Sequence, residues 1–511
     1  MRRNRVNMIH GQQDKQMNPM TDDMTGKRLL TILTLAVLII WALSGCTTVG
    51  PDYTRVAPKA PDNWSAQLQS GLTDEPLDPE TLAHWWTTLN DPELSSLVDR
   101  AVKGNLALRD AQSRLREARA LRGISKADLF PTLDAGALVT KRRSSKNSDT
   151  GTESTLYAAG FDASWELDIF GGVRRSIEAA QANLEATHAD LLNVLVSLMA
   201  EVALNYVDVR TYQSRLSAAY ANIKTQQETY ELNLSRYEAG IIDELAVKQA
   251  LYNLERSRSQ IPTLEVGLEA AKNRLAVLLG ENPGVLHQEL NEPKPIPVPP
   301  MTVAVGLPAE TLRNRPDIQR AERDLAAQTA RIGVATAELY PKFRLFGTIG
   351  LESLSSQDFL EWDSRTWSIG PGISWNIFDA GAIRQNIKVQ TARQEQALIQ
   401  YESAVLNAQE EVENVLVAFA KEQRRRESLF KATEAARQAD LLARDRYQAG
   451  LVDFNNVLIT QLALISFQDQ LVQSDGAVTT NLVRLYKALG GGWQFYKPAE
   501  DKAKKTTKEK L

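Results

Sequence analysis

The 511-residue chain has one cysteine, Cys46, which excludes an intramolecular disulfide and any cysteine-cluster metal site. Its four histidines, His10, His84, His188 and His287, are scattered without metal-ligand spacing. A formal net charge of −4 lacks the basic excess of a general nucleic-acid binder, so no nucleic-acid partner is expected. No Walker loop, Rossmann fingerprint, nucleophile elbow or His-Glu-x-x-His is present. The pair Gly347 and Gly350 sits in a strand pattern that opens no helix, so it cannot cradle a phosphate. Catalytic, cofactor-binding and metal-binding residues are therefore all expected to be absent, and the chain is not expected to be an enzyme. What remains, 43% hydrophobic and 24% charged, is ordinary globular composition, neither disordered nor collagen-like.

Residues 29–43 form an uncharged apolar run, preceded by Lys27 and Arg28 and closed by Leu43-Ser44-Gly45-Cys46. A basic start, a short apolar stretch and small residues before a cut describe a signal peptide over 1–45. The run is shorter than the roughly 20 residues of a spanning helix. Leu-Ser-Gly-Cys resembles a bacterial lipobox, which implies an acylated Cys46 at the mature N-terminus. Thr47 in the next position resembles the signal for sorting to the outer membrane. A buried structural cysteine behind a short anchor helix is the alternative.

The chain is written twice at an offset of 210. Phe130-Pro131 matches Tyr340-Pro341, Trp165 matches Trp375, and Arg174 matches Arg384. Arg236-Tyr237-Glu238-Ala239-Gly240 matches Arg446-Tyr447-Gln448-Ala449-Gly450, and Leu279-Gly280 matches Leu489-Gly490. A constant offset means tandem duplication with nearly no net insertion. The expected organisation is an N-terminal extended segment 46–91, repeat 1 over 92–290, a Pro-rich linker 291–300, repeat 2 over 301–492 and a polar tail 493–511. Residues 173–239 and 382–449 lack both glycine and proline and carry apolar residues in seven-residue rows. At 1.5 Å per residue such helices reach about 100 Å. Gly240 and Gly450 cap them, Asp243 and Asp453 open the returning helices, and each repeat carries a helical hairpin, about 173–280 and 382–490. Pro262 predicts a kink.

Before each long helix the period falls to two, over about 132–140 and 156–167, then 342–351 and 366–377. Tyr157, Ala159, Phe161, Ala163, Trp165 and Leu167 alternate with small or polar residues, as do Trp367, Ile369, Ile373, Trp375 and Ile377. Aromatic-ended alternation of this length is the signature of outer-membrane barrel strands. On this pattern Glu166 and Asp168 fall on the lumen side, and Pro371 requires an edge strand or a bulge. Four strands cannot close a barrel, and a lipid-facing sheet tolerates no open edge, so the chain must oligomerise. Two copies would supply eight strands around packed side chains; three would supply twelve and leave a lumen.

The lipobox, Trp-Glu-Leu-Asp-Ile-Phe-Gly at 165–171, Trp-Asn-Ile-Phe-Asp-Ala-Gly at 375–381, the two Arg-Tyr-x-Ala-Gly turns and Leu312-Arg-Asn-Arg-Pro-Asp-Ile318 together resemble the outer-membrane factor (TolC-like) family. Lipid-anchored efflux channels are the branch most similar. The resemblance implies a mainly α fold with transmembrane β: a homotrimer whose duplicated hairpins form a periplasmic α-barrel and whose four strands per protomer share a 12-stranded β-barrel. It implies an outer-membrane, lipid-anchored passive exit duct with a long periplasmic extension, surrounded by outer-membrane lipid and bearing no cofactor beyond the lipid on Cys46. A periplasmic adaptor would link it to an inner-membrane pump of RND type. The adaptor-contact turns would be Arg236, Tyr237, Gly240 and Ile241 with Arg446, Tyr447, Gly450 and Leu451. The Arg-Tyr pairs could instead simply lock each turn. Family members close the tip with inward carboxylates. Here the position nine past Gly450 is Ile459 and Asn456 is neutral, so Asp453 with apolar packing of Leu458 and Ile459 is the alternative gate. A type I protein-secretion channel, a periplasmic adaptor lipoprotein and a coiled-coil scaffold remain open readings.

Overall fold

The computed structural model describes residues 48–496 apart from 58, 77, 149, 150 and 301. The signal peptide, Cys46 and the Lys-rich end of the tail lie outside the described residues. In chain order the elements are β1 (Leu72–Thr73), α1 (Pro79–Ala83), α2 (Pro92–Gly104), α3 (Leu106–Ala127), β2 (Thr132–Arg143), β3 (Glu153–Leu167), α4 (Gly172–Glu238) and α5 (Glu244–Leu279). Then follow β4 (Val303–Ala304), α6 (Pro308–Asn314), α7 (Pro316–Ala337), β5 (Lys342–Ser353), β6 (Arg365–Ser374), α8 (Ala382–Gln448) and α9 (Phe454–Ala488). The bounds of α3, β2 and α4 recur in α7, β5 and α8 at an offset of 210 at both ends. α4 and α8 have 67 residues each, against the 10–14 of an average helix.

The chain divides into two compact units. One comprises the described residues up to Gly50 with Leu129–Arg175 and Gly333–Ala380; the other comprises Pro51–Asp128, Ser176–Ile332 and Gly381 onward. The first holds an antiparallel sheet in the order β2-β3-β5-β6. Its three ladders pair residues whose numbers sum to an even total, for example Ala137 with Ala159, Phe161 with Ile349, and Leu345 with Pro371. Odd positions therefore share one face across all four strands. That face carries Leu133, Val139, Tyr157, Phe161, Trp165, Phe343, Leu345, Ile349, Trp367, Ile369 and Ile373. The even face carries Asp134, Asp162, Ser164, Glu166, Arg344, Thr348 and Ser368, with Arg344 bonded to Glu166 at 3.1 Å and Thr348 to Ser368 at 2.8 Å. Phe346 also lies on the even face, its ring over Gly370 and Gly372.

Two strand expectations change. β2 runs to Arg143 because its hairpin partner continues to Glu153. β6 stops at Ser374 rather than 377, because its partner Lys342 is preceded by Pro341, which has no N–H to donate. Pro371 lies on β6, an edge of the four-stranded sheet. Asp168 is not a lumen group. Its carboxylate accepts from the Val173 and Arg174 backbone N–H groups at 3.0 and 2.9 Å and from Arg174 Nε at 3.0 Å, opening α4.

In the second unit the core runs from Trp85, Trp86, Leu94 and Leu97 through Leu191, Leu195 and Met199 to Leu482, Leu485 and Tyr486. The most apolar stretch of α4, long enough by composition to cross a membrane, is 61% buried and belongs to this core. The N-terminal segment is not simply extended. Asp78 caps α1 by accepting from Thr81 N at 2.9 Å, Pro79 presets the first turn, and burial of Trp85 and Trp86 fixes the following 3-10 turn. The start of the tail is packed too: Phe495 stacks on His84 at 5.1 Å and Tyr496 accepts from Gln112. The linker is anchored as well, Pro297 O accepting from Thr479 at 2.8 Å. Helix α5 runs through Pro262 as one continuous helix.

Two glycines with nearly the same φ predict different costs. Gly240 and Gly280 have φ +74° and +75°; a methyl on Gly240 meets nothing within 4 Å, whereas one on Gly280 overlaps the Gly104 carbonyl. Gly240→Ala should cost about 1 kcal/mol of backbone strain. Gly280→Ala should cost about 2–4 kcal/mol, because helix ends must also move apart. Comparing guanidinium midpoints of the two variants checks this; equal shifts would refute the close-approach argument.

Candidate functional site

The two Arg-Tyr-x-Ala-Gly turns are built alike in the backbone. Gly240 N–H donates to Tyr237 O and Ile241 N–H to Arg236 O, both at 2.8 Å; Gly450 N–H donates to Tyr447 O at 3.0 Å and Leu451 N–H to Arg446 O at 2.8 Å. Each is a Schellman cap with glycine in the left-handed region, φ +74° and +72°. Nothing lies within 4 Å of where either glycine would carry a Cβ, and Ile241 and Leu451 stand 65% and 73% exposed. Leu245, in the first turn of α5, is also exposed and was not singled out in the sequence. These are bare, apolar-tipped reversals open to contact.

The side chains differ between copies. Tyr447 is buried among Ala246, Ala250, Ala443, Phe454, Val457 and Leu458, and its hydroxyl donates to Asn233 Oδ1 at 2.8 Å. Arg236 of the first copy crosses to the second, donating to the carbonyls of Tyr447 at 3.2 Å and Gln448 at 3.3 Å. Its guanidinium carbon lies 4.8 Å from the Tyr447 ring centroid, over the face. Tyr237 is half-exposed and Arg446 is exposed. The locking role left open in the sequence thus has a geometry in one copy, and there the lock runs between the repeats rather than within a turn.

The three gate candidates stand at three-residue spacing on one exposed side where α9 begins: Asp453 at its N-cap, then Asn456 and Ile459. Asp243 caps its helix, accepting from Ala246 N at 3.3 Å, whereas the Asp453 carboxylate makes no such bond. Leu458, expected from the sequence to help plug the opening, is instead buried in the tip cluster with Tyr447, Phe454 and Val457. A residue missed in the sequence is Asp440. Its carboxylate is buried beside Arg444 at 2.7 Å, and desolvation raises its pKa against the pull of that arginine. Its place in a helical row gave no sign of this burial.

The strand motifs are locked from the other side. Trp165 Nε1 donates to Leu129 O at 2.9 Å and Trp375 Nε1 to Leu339 O at 3.0 Å, repeat-equivalent bonds that pin each aromatic to the turn before the preceding strand. Phe170 stacks on Tyr340 with centroids 4.6 Å apart. Among the described residues no group of His, Cys, Asp and Glu is placed to hold a metal ion.

A family model described as outer membrane efflux protein matches the chain twice, over 97–281 and 307–491, again 210 residues apart. Nodulation protein T of Rhizobium leguminosarum bv. trifolii is 32% identical over 88% of this chain and 95% of its own length. The pyoverdine export outer membrane protein OpmQ of Pseudomonas aeruginosa is also 32% identical, over 88% of this chain and 96% of its own. The solved outer-membrane channel OprN superposes with a TM-score of 0.83 at 37% identity, covering 88% of this chain and all of that one. With a duplicated hairpin, a sheet apolar on one face and matches over nearly its full length, the chain belongs to the outer membrane efflux protein family and is an efflux channel of the outer membrane.

Proposed function

We propose that three copies of this chain close into one passive duct, the outer-membrane end of a tripartite efflux system. A single observation carries the reading: the sheet presents one apolar face across four strands yet leaves β2 and β6 as open edges. In lipid each unpaired backbone group costs several kcal/mol, so the edges must find each other on neighbouring copies. Three copies supply twelve strands around a lumen lined by the even face with Asp162, Glu166, Arg344 and Thr348. Cys46 would carry the lipid anchor. The bare turns at Gly240-Ile241 and Gly450-Leu451 would receive a periplasmic adaptor, and through it an inner-membrane pump of RND type. The chain itself performs no chemistry and uses no cofactor beyond the lipid; the pump supplies the energy. Asp453, Asn456 and Ile459 would ring the periplasmic opening.

Planar-bilayer recording of the purified, natively sized protein tests this. Stepwise currents, with Asp453→Ala lowering cation preference, are expected. A trimer that conducts no ions in any state would sink the duct. Unchanged selectivity in Asp453→Ala would remove that residue from the gate.

A further inference from the structure

The tip of the second unit contains one satisfied junction and two unmatched halves of another. Within the chain, repeat 1 reaches repeat 2 through Arg236, which forks onto the carbonyls of Tyr447 and Gln448 and covers the Tyr447 ring. Shifting these residues by 210 gives the reciprocal set: Arg446 as donor, with Tyr237 and Glu238 as acceptors. Among the described residues the Arg446 side chain is exposed without a hydrogen bond or ion pair, and Tyr237 is 42% exposed. A donor half and an acceptor half that do not bond to each other within one chain are what a head-to-tail contact leaves open before a ring closes.

We infer that Arg446 of one copy clasps the end of the first long helix of the next copy, donating to the carbonyls of Tyr237 and Glu238 with its guanidinium over the Tyr237 ring. The inference rests on the proposed closed oligomer and names the partner of the tip: a second copy of this chain. Two substitutions make this contact chemically unlike the internal one. Asn233, which accepts from the Tyr447 hydroxyl, is replaced 210 residues on by Ala443, so the Tyr237 hydroxyl has no such acceptor and the contact is carried by the ring and carbonyls alone. Gln448 is replaced by Glu238, which adds an acidic side chain beside the arginine. The contact between copies therefore gains charge and loses a buried hydrogen bond. It should weaken with salt, whereas the internal clasp, backed by the buried Tyr447–Asn233 bond, should not.

The test uses the full chain in detergent, carrying Arg446→Cys with Glu238→Cys and treated with a short bismaleimide. Covalent dimers and trimers on denaturing gels are expected, at least tenfold above either single substitution. The matched pair Arg236→Cys with Gln448→Cys should link within one chain and leave the mass unchanged. Native mass measured on the same samples separates the two claims. A native trimer without the Arg446–Glu238 ladder overturns the clasp and leaves the duct standing; no oligomer at all overturns both. In bilayers Arg446→Met and Tyr237→Ala should each raise the open fraction by about two- to fivefold, the size of an exposed cation–π contact. Tyr237→Phe should match the wild type, because the ring and not the hydroxyl is used. An effect of Tyr237→Phe equal to that of Tyr237→Ala would overturn the assigned chemistry.

Discussion

Ile373→Cys and Ala137→Cys, placed together in the full chain, should form disulfide-linked dimers and trimers on mild oxidation. The register follows from the repeat. Both hairpins pair alike: residue numbers sum to 296 between β2 and β3, as Thr132 with Ser164, and to 716, which is 296 plus twice 210, between β5 and β6, as Lys342 with Ser374. The junction between repeats, β3 with β5, pairs residues summing to 510, as Leu167 with Phe343. Shifting one partner up and the other down by 210 keeps that sum, so β6 of one copy should meet β2 of the next with Ile373 opposite Ala137 and Gly372 opposite Leu138. The two antiparallel spacings, about 4.5 and 5.5 Å between Cα atoms, both fall within the span a disulfide bridges, so Ile373 and Ala137 meet the requirement in either case. Within one chain β2 and β6 are three strand spacings apart, about 14 Å, too far to link. The stop of β6 at Ser374 fits the same scheme. Its counterpart β3 continues to Leu167 only because β5 lies alongside, and Trp375 and Ile377 would extend β6 once a neighbour's Ala135 and Leu133 faced them. Ile373→Cys with Lys141→Cys, four residues out of register, should give no linked dimers or trimers. Equal linking of the two pairs would show that the seam is not a continuation of the repeat.

What the sequence disclosed and what it concealed divide by the range of the signal. The long helices were legible because the runs 173–239 and 382–449, free of glycine and proline, leave few alternatives, and the sheet face because alternation survives in every strand. Asp168 was misread because parity alone cannot tell a lumen carboxylate from one that turns to cap the next helix. Leu458 looked available beside Ile459, yet one residue on a helix rotates the side chain by about 100°, into the tip cluster. The packing of Phe495 on His84 and the crossing of Arg236 to Tyr447 join residues hundreds apart and leave no periodic trace. Comparing the copies does find such sites, where the repeat keeps a position but changes its residue.

Position 105 and its counterpart 315 show how much can rest on such a change. Asn105 donates to Leu278 O at 2.8 Å and caps α3 by accepting from Leu108 N at 2.9 Å. Arg315 takes the same place in repeat 2, donating to Ala488 O at 2.6 Å, the carbonyl 210 residues beyond Leu278. Its remaining donors go to Asp317 at 2.8 and 3.1 Å and to Glu411 at 2.7 Å. Burial alone would lower the arginine's pKa, but hydrogen bonds to Asp317 and the charges of both carboxylates outweigh it and raise it, so the group stays charged. The Arg-Pro-Asp-Ile motif at 315–318 is therefore a structural tie, binding the start of α7 to the end of α9 and to the flank of α8. Arg315→Met should destabilise the protein by about 3 kcal/mol, the low end for breaking a buried pair, because both carboxylates keep about a third of their exposure. Arg315→Lys should recover less than half of that loss, since one ammonium cannot span a carbonyl and two carboxylates in the plane of a guanidinium. Arg315→Asn should recover little as well: the shorter side chain suits the spacing of repeat 1, while Glu411 would face an amide in place of a cation. Guanidinium midpoints of the detergent-solubilised variants, followed by helical circular dichroism, measure all three. A midpoint for Arg315→Met within error of the wild type would mean that the tie is ornamental and that α7 is held by Leu312, Ile318 and Tyr401 packing alone.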